Sequence, residues 1–323
     1  MGEVITLDSA QQQTDRFERV QLGNREGRRE PDVYLPGLLL KGQSHLLYGP
    51  SDAGKSWIAQ HASTESIRDG MPVLYFDLEN GPDVMEERMM DALVVSREEL
   101  DGYFHYFPFL DLTLDQESKA WFAALLDSFS EPGLIAWDSL LGHLSLAGLK
   151  EDSSDDFETW ARFFLDQPRA RGWTSMVLDH SGHAGTHARG SSRKSQSVQV
   201  VHKVEKKQAF DRTTSGRQKL TREKDRLAYL PEQVVIELGG TPFGFKLRYD
   251  GQEFLNNSQN TALCMLYKRG ISGATHGEWK RMCEEKMSAK TFNRTVGYLR
   301  DKGYVDNPGK HYKLTKKGES KVS

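Results

Sequence analysis

Cysteine is nearly absent from this chain: two residues, Cys264 and Cys283, in 323. That excludes a disulfide framework, suits a reducing cytoplasm, and leaves both thiols to pack as small apolar groups. Long apolar runs are missing too. None nears the ~20 residues that cross a bilayer, so no membrane partner is expected. The polar start (Gln11, Gln12, Gln13, Asp15, Arg16) lacks the apolar stretch of a secretory signal, and no internal repeat is found. What remains is a globular composition, 37% hydrophobic and 28% charged, long for one domain and comfortable for two.

Charge is unevenly spread. The net value is −3, yet from Asn256 onward 14 Lys and Arg face 6 Asp and Glu, a net +8, leaving −11 for the rest. A basic terminal module on an acidic body points to nucleic acid at that module, although a solvated basic face would have the same composition.

The densest signal is Gly49-Pro50-Ser51-Asp52-Ala53-Gly54-Lys55-Ser56, followed by Trp57. It fits the phosphate-loop pattern G-x-x-x-x-G-K-[ST] at every fixed position. The apolar run His45–Tyr48 predicts a strand before it, and Trp57–Asp69 a helix after it. Such a loop aims backbone N–H groups at a phosphate; the lysine neutralises the β- and γ-phosphates and the Ser56 hydroxyl reaches Mg²⁺. ATP and Mg²⁺ are the expected ligands.

Further strands are expected at Pro72–Glu79, Tyr103–Leu110, Leu134–Asp138 and Thr174–His180, alternating with helices at Asp83–Val95, Gln116–Phe129 and Asp155–Leu165. That alternation predicts an α/β fold, mainly a parallel sheet with helices on both faces. After His180 the pattern changes to a small, basic loop (Gly182–Ser197). Runs at Val198–Val204, Gln218–Thr221, Gln233–Glu237 and Phe243–Tyr249 then predict an antiparallel extension. Residues 1–30 are expected as a polar tail or arm, 31–255 as the nucleotide-binding domain and 256–323 as a second one. There, helices at Thr261–Lys268, His276–Glu285 and Ala289–Lys302 precede Tyr304-Val305 and Tyr312–Leu314. This is the layout of a winged helix-turn-helix, with Lys290, Asn293, Arg294 and Arg300 facing outward on the recognition helix. A winged helix that binds protein instead is the bland alternative.

Hydrolysis needs a metal ligand, a positioned water and charge relief. Asp138, at a strand end, is the candidate Walker B acid, sharing Mg²⁺ with Ser56. Glu79 ends the neighbouring strand and is the candidate for polarising water, with Asp77 and Asp83 as competitors; Asp77 lies inside the strand, where structural hydrogen bonds are its expected role. His180 ends the next strand, placed to sense the γ-phosphate. Histidines 180, 183 and 187 have metal-like spacing but no cysteine nearby.

Together the phosphate loop, Glu79, Asp138, Asp179-His180 and Gly190-Ser191-Ser192 resemble the RecA-like ATPases, and within them the plasmid RepA-type hexameric helicase group, broadly the AAA_25-type ATPases. The resemblance covers about residues 30–250. It implies a homo-oligomeric ring of six subunits with sites shared between neighbours. It also implies that Lys224 and Arg226, after the strand Gln218–Thr221, form the K-x-R finger element entering the next subunit's site. Leu227-Ala228 departs from the family pattern there. The resemblance further places the loop Gly182–Ser197 at the ring's channel, where Arg189, Arg193 and Lys194 would follow single-stranded DNA. The expected function is a replicative helicase or helicase-like motor of a plasmid, phage or mobile element, cytoplasmic, with duplex DNA and replication proteins as further partners. The alternative is an ATP-switched DNA-binding regulator or helicase loader that never unwinds.

Overall fold

The computed structural model describes residues 33–35, 37–182, 193–240, 244–249, 255 and 257–322. The 1–30 arm and Arg189 lie outside them. A hairpin of β1 (Val33–Leu35) and β2 (Leu39–Leu40) leads into β3 (Ser44–Gly49) and α1 (Lys55–Arg68). β4 (Val73–Asp77) follows, then α2 (Pro82–Glu87) with a π turn at Arg88–Ala92, α3 (Arg97–Tyr103) and β5 (Phe104–Pro108). Next come α4 (Gln116–Asp127), β6 (Leu134–Asp138), α5 (Leu140–Leu146) and α6 (Ser154–Ala161). A π turn at Arg162–Asp166 joins α6 to α7 (Gln167–Ala170), and β7 (Thr174–His180) follows. α8 (Arg193–Ser197) precedes β8 (Val200–Gln208), β9 (Ser215–Asp225), β10 (Gln233–Gly239) and β11 (Gly244–Tyr249).

These strands form one nine-stranded sheet in the order β11-β10-β9-β8-β3-β7-β6-β4-β5. From β8 to β5 all neighbours are parallel; β8–β9, β9–β10 and β10–β11 are antiparallel. The alternation of side chains explains the continuous apolar runs. Leu47, Tyr75, Ala136 and Leu178 point into one core. Leu46, Phe76, Trp137 and Val177, their chain neighbours, point into the other. A strand buried on both faces has no position to spare for polar residues, except at its ends. The sheet's C-terminal edge is therefore where Gly49, Asp77, Asp138 and His180 collect.

Two strand expectations need correction. Val198–Val204 belongs to the parallel part, because β8 lies beside β3 with His45 opposite Val200. The strand expected at Gln218–Thr221 extends over Ser215–Asp225, since β8 and β10 pair with it on both sides. Lys224 thus sits within the strand rather than after it. Its partly exposed polar residues hid its length.

The C-terminal residues build α9 (Asn257–Tyr267), a 3₁₀ turn at Gly270–Ser272, α10 (His276–Cys283) and α11 (Ala289–Asp301). The pair β12 (Val305–Asp306) and β13 (Lys313–Leu314) and a short α12 (Lys316–Glu319) complete the unit. Thr275 and Glu278 form a reciprocal cap at the start of α10, and Ser288 caps α11. Phe292, Val296 and Leu299 form one stripe of α11 and pack with Leu263, Trp279 and Tyr304 in a separate core. Residues 31–323 nonetheless form one compact unit.

Candidate active site

Between β3 and α1, the chain turns at the sheet's C-terminal edge through Pro50–Gly54. Glycine is required at both ends of the turn. A Cβ on Gly49 would stand 2.3 Å from the Val204 carbonyl oxygen, and Gly54 adopts a left-handed φ of +85°. A cavity of about 340 Å³ opens beside it, lined by Ser51 to Trp57, Glu79, Asn80, Arg88, Asp138, Ser139, His180, Lys206, Ala209 and Phe210. Five separate strand ends thus contribute to one space. Among the described residues, the expected loop, Glu79, Asp138 and His180 all meet there.

Lys55 is 7% exposed and folds back over the loop, donating to the carbonyls of Gly49 (3.1 Å) and Pro50 (2.8 Å). Burial lowers its pKa, opposed by Asp138, Glu79, Asp179 and Asp52. Asp138 is buried; burial, with the neighbouring Asp77 and Glu79, pushes its pKa up to about 7 against hydrogen bonds from Ser56 and Tyr75. Tyr75 donates to Asp138 Oδ2 at 3.0 Å.

Glu79 behaves oppositely. His180 Nε2 lies 3.3 Å from its Oε1, and that hydrogen bond, helped by one from Ser139, pulls Glu79 down to about 2 against partial burial. With Nε2–H donating to Glu79, Nδ1 is left to accept from the Ser51 hydroxyl, 3.4 Å away. His180 therefore bridges the phosphate loop and Glu79. Asp77 accepts from the backbone N–H of Glu79 and Asn80, both at 2.9 Å, and from Tyr106 (2.9 Å). It shapes the turn that presents Glu79.

Ser56 and Asp138 supply an oxygen-only pair at the loop, the donor type Mg²⁺ takes when phosphate oxygens and water complete its shell. Gly49 pressed on Val204 and Gly54 at a left-handed φ hold the turn in the sharp form a phosphate loop needs. The residues fit a Mg²⁺–nucleoside triphosphate. Among the described residues no cluster of three or more His, Cys, Asp or Glu could hold a metal alone.

Sequence reasoning missed Asn80, Arg88, Lys206 and Phe210. Arg88 stacks over the Trp57 ring, 4.9 Å from its centroid, and the two also wall a second cavity of about 430 Å³ with Val84, Glu87 and Arg212. Lys206 pairs with Asp52 across the loop. Its place in the cavity follows from β8 running parallel to β3.

Lys224 and Arg226 are not in this cavity. Lys224 Nζ donates to the carbonyls of Ser195 (2.6 Å), Gln196 (2.8 Å) and Val198 (2.5 Å), and Arg226 donates to Gln196 at 2.9 Å. Burial, with Arg226 alongside, lowers Lys224 to about 8.

Of the expected single-strand contacts, Lys194 needs correction. Lys194 is fully buried, paired with Asp179 (2.9 Å) and Glu151 (3.3 Å), because an uncompensated Asp179 beneath His180 would be costly. It is not on a DNA surface. Arg193 pairs with Glu158 at 2.9 Å. On α11, Asn293 and Arg300 are exposed, whereas Arg294 pairs with Asp69 and Lys290 with Glu99 of the sheet-bearing core.

Residues 11–186 match the AAA_25 family, an AAA domain. The chain belongs to this family, a group of RecA-like P-loop ATPases. No curated protein matches it. Among solved structures it is similar to the flagellar accessory protein FlaH from Methanocaldococcus jannaschii, at 12% identity and a TM-score of 0.45, over 66% of this chain and 92% of that one. Among the described residues no helix is long and apolar enough to cross a membrane.

Proposed function

We propose that this chain is an ATP-hydrolysing DNA motor of a plasmid, phage or mobile element, acting in the cytoplasm as a ring of six subunits. Residues 31–255 would be the motor and 256–323 a winged helix-turn-helix that binds DNA. One observation carries the shared-site reading: the cavity holds Lys55, Ser56, Glu79, Asp138 and His180, while Lys224 and Arg226 lie outside it on the carbonyls of residues 195–198. A K-x-R pair outside its own loop's cavity supports a site completed by a neighbour. There a cation would stabilise charge on the transferring phosphoryl group. Ser56 and Asp138 would hold Mg²⁺, which would supply neutralising charge for the phosphates. Lys55 would bind the β- and γ-phosphates, Glu79 would orient the attacking water, and His180 would report the γ-phosphate to Glu79 and Ser51.

Mixing two inactive variants tests this. Arg226→Ala and Lys55→Ala should each lose turnover, and subunit-exchanging mixtures should recover part of it, at interfaces joining an intact loop to an intact finger. No recovery at any mixing ratio would contradict a shared site.

The second reading is a DNA-binding regulator or loader that switches with ATP and never unwinds. It is favoured by Lys194 being buried and by Lys290 and Arg294 being held by acids of the core, which leave fewer cations for a strand to follow.

A further inference from the structure

α11 meets the sheet-bearing core through its first two turns. Arg294 Nη2 donates to Asp69 Oδ1 at 2.9 Å, Lys290 Nζ to Glu99 Oε1 at 2.6 Å, and Thr291 Oγ1 to the Arg68 carbonyl at 3.3 Å. The two acids have fixed positions. Asp69 is the C-cap of α1, and Glu99 is clamped at the third position of α3 by the reciprocal cap with Ser96. Asp69 and Glu99 are 22% and 17% exposed, against 37% and 76% for Arg294 and Lys290. The acids are the more buried half of the contact and the cations the more exposed half. Glu65 lies close enough to Arg294 to feel its charge, and Asp69 feels Glu65 in turn. The core thus offers α11 a rigid anionic surface, and the +8 module meets a −11 body there.

We propose that the Lys290–Arg294 face of α11 is a binding surface for the phosphate backbone of duplex DNA, which the chain occupies with its own Asp69 and Glu99. This rests on the reading of 256–323 as the DNA-binding unit. The two carboxylates neutralise these cations and repel a phosphate brought to them, so duplex DNA and the core compete for the same face. The docked form is the one that binds DNA weakly. Asn293 and Arg300, left exposed on the same helix, are placed for first encounter before Lys290 and Arg294 change partners.

The contact also has an address. Asp69 caps the helix that begins with Lys55 and Ser56, and 14 residues of α-helix span roughly 20 Å. Nucleotide acts at one end of α1 and the DNA-competing contact sits at the other. Any effect of nucleotide on docking must therefore be returned as an equal effect of DNA on nucleotide affinity.

The test uses the full chain. Asp69→Asn preserves size, and Glu99→Gln preserves the cap, because glutamine serves at that position; neither residue lines the nucleotide cavity. Two measurements are made: anisotropy of a labelled duplex, and hydrogen exchange of amides 289–295. The double variant should exchange faster there and bind duplex between about threefold and about tenfold tighter than wild type, the range two partly exposed ion pairs can hold closed. Adding Lys290→Gln and Arg294→Gln should abolish the gain. Unchanged exchange in the double variant overturns the proposal, since the pairs then do not hold the helix. Faster exchange with duplex affinity equal to wild type also overturns it, since the acids then do not compete. If exchange rises but neither protein binds duplex at any salt concentration, the DNA reading of the C-terminal unit is what fails.

Discussion

Glu79 is held ionised by the histidine beside it. A carboxylate pulled down to about 2 is a feeble base, so under the proposed function its contribution would lie in orienting water. Glu79→Gln keeps the shape and loses the charge. It should bind nucleotide within about threefold of wild type and slow turnover on the order of 10²- to 10³-fold, read by fluorescent-nucleotide titration beside a phosphate-release assay. Normal turnover would hand the role to another acid, Asp83 being the sequence's alternative. At this scale the phosphate loop was fully legible, because its chemistry fixes residue types at fixed spacing. Lys206 was not, because nothing local distinguishes it from Lys203 or Lys207; only its strand's register brings it to Asp52.

Lys194 in α8 shows what composition hides. A basic residue after a glycine-rich loop reads as solvent-facing, yet Lys194 is fully buried, its ammonium on Asp179 of β7. Burial raises the Asp179 pKa and Lys194 opposes it. Lys194→Ala leaves that carboxylate uncompensated and should cost roughly 3–5 kcal/mol in urea unfolding. Lys194→Met combined with Asp179→Asn, which removes both charges, should recover most of the loss. An unaltered midpoint in Lys194→Ala would show that the pair carries no stability. Strand existence and the mainly parallel pairing were legible from apolar runs alternating with helices, whereas the class of β8 was not. β8 is apolar like its parallel neighbours but continues into a polar hairpin, and only pairing with β3 decides its class.

Across the whole molecule, several histidines sit in the core rather than at the site. His45 accepts from Leu40 N–H through Nε2 (3.0 Å), which fixes its neutral form, and burial lowers His45 and His143 to about 4 and His202 to about 3. The unfolded chain takes up these protons near 6.5. Between 6.5 and the folded values the unfolded state binds more protons, so stability falls as pH falls through that window. Asp138, raised to about 7, works the other way by one proton. His202→Gln isolates one histidine. From pH 6.5 to 5 the wild type should lose about 2 kcal/mol relative to the variant, seen as a changing gap between their thermal midpoints. A gap independent of pH would mean that His202 is protonated in the fold.

A second property of the whole molecule, the separation of an acidic body from a basic terminal module, was legible from charge counting alone. That the two meet through α11 was not, because Asp69 and Glu99 are more than 190 residues from their partners and carry no motif. The central claim, an ATPase working on DNA, is tested most directly by ATP turnover with and without single-stranded DNA, with Lys55→Ala as the blank. The account expects turnover that rises several-fold with single-stranded DNA and vanishes in Lys55→Ala. Turnover that ignores DNA at every concentration, or that survives intact in a folded Lys55→Ala protein, would contradict it.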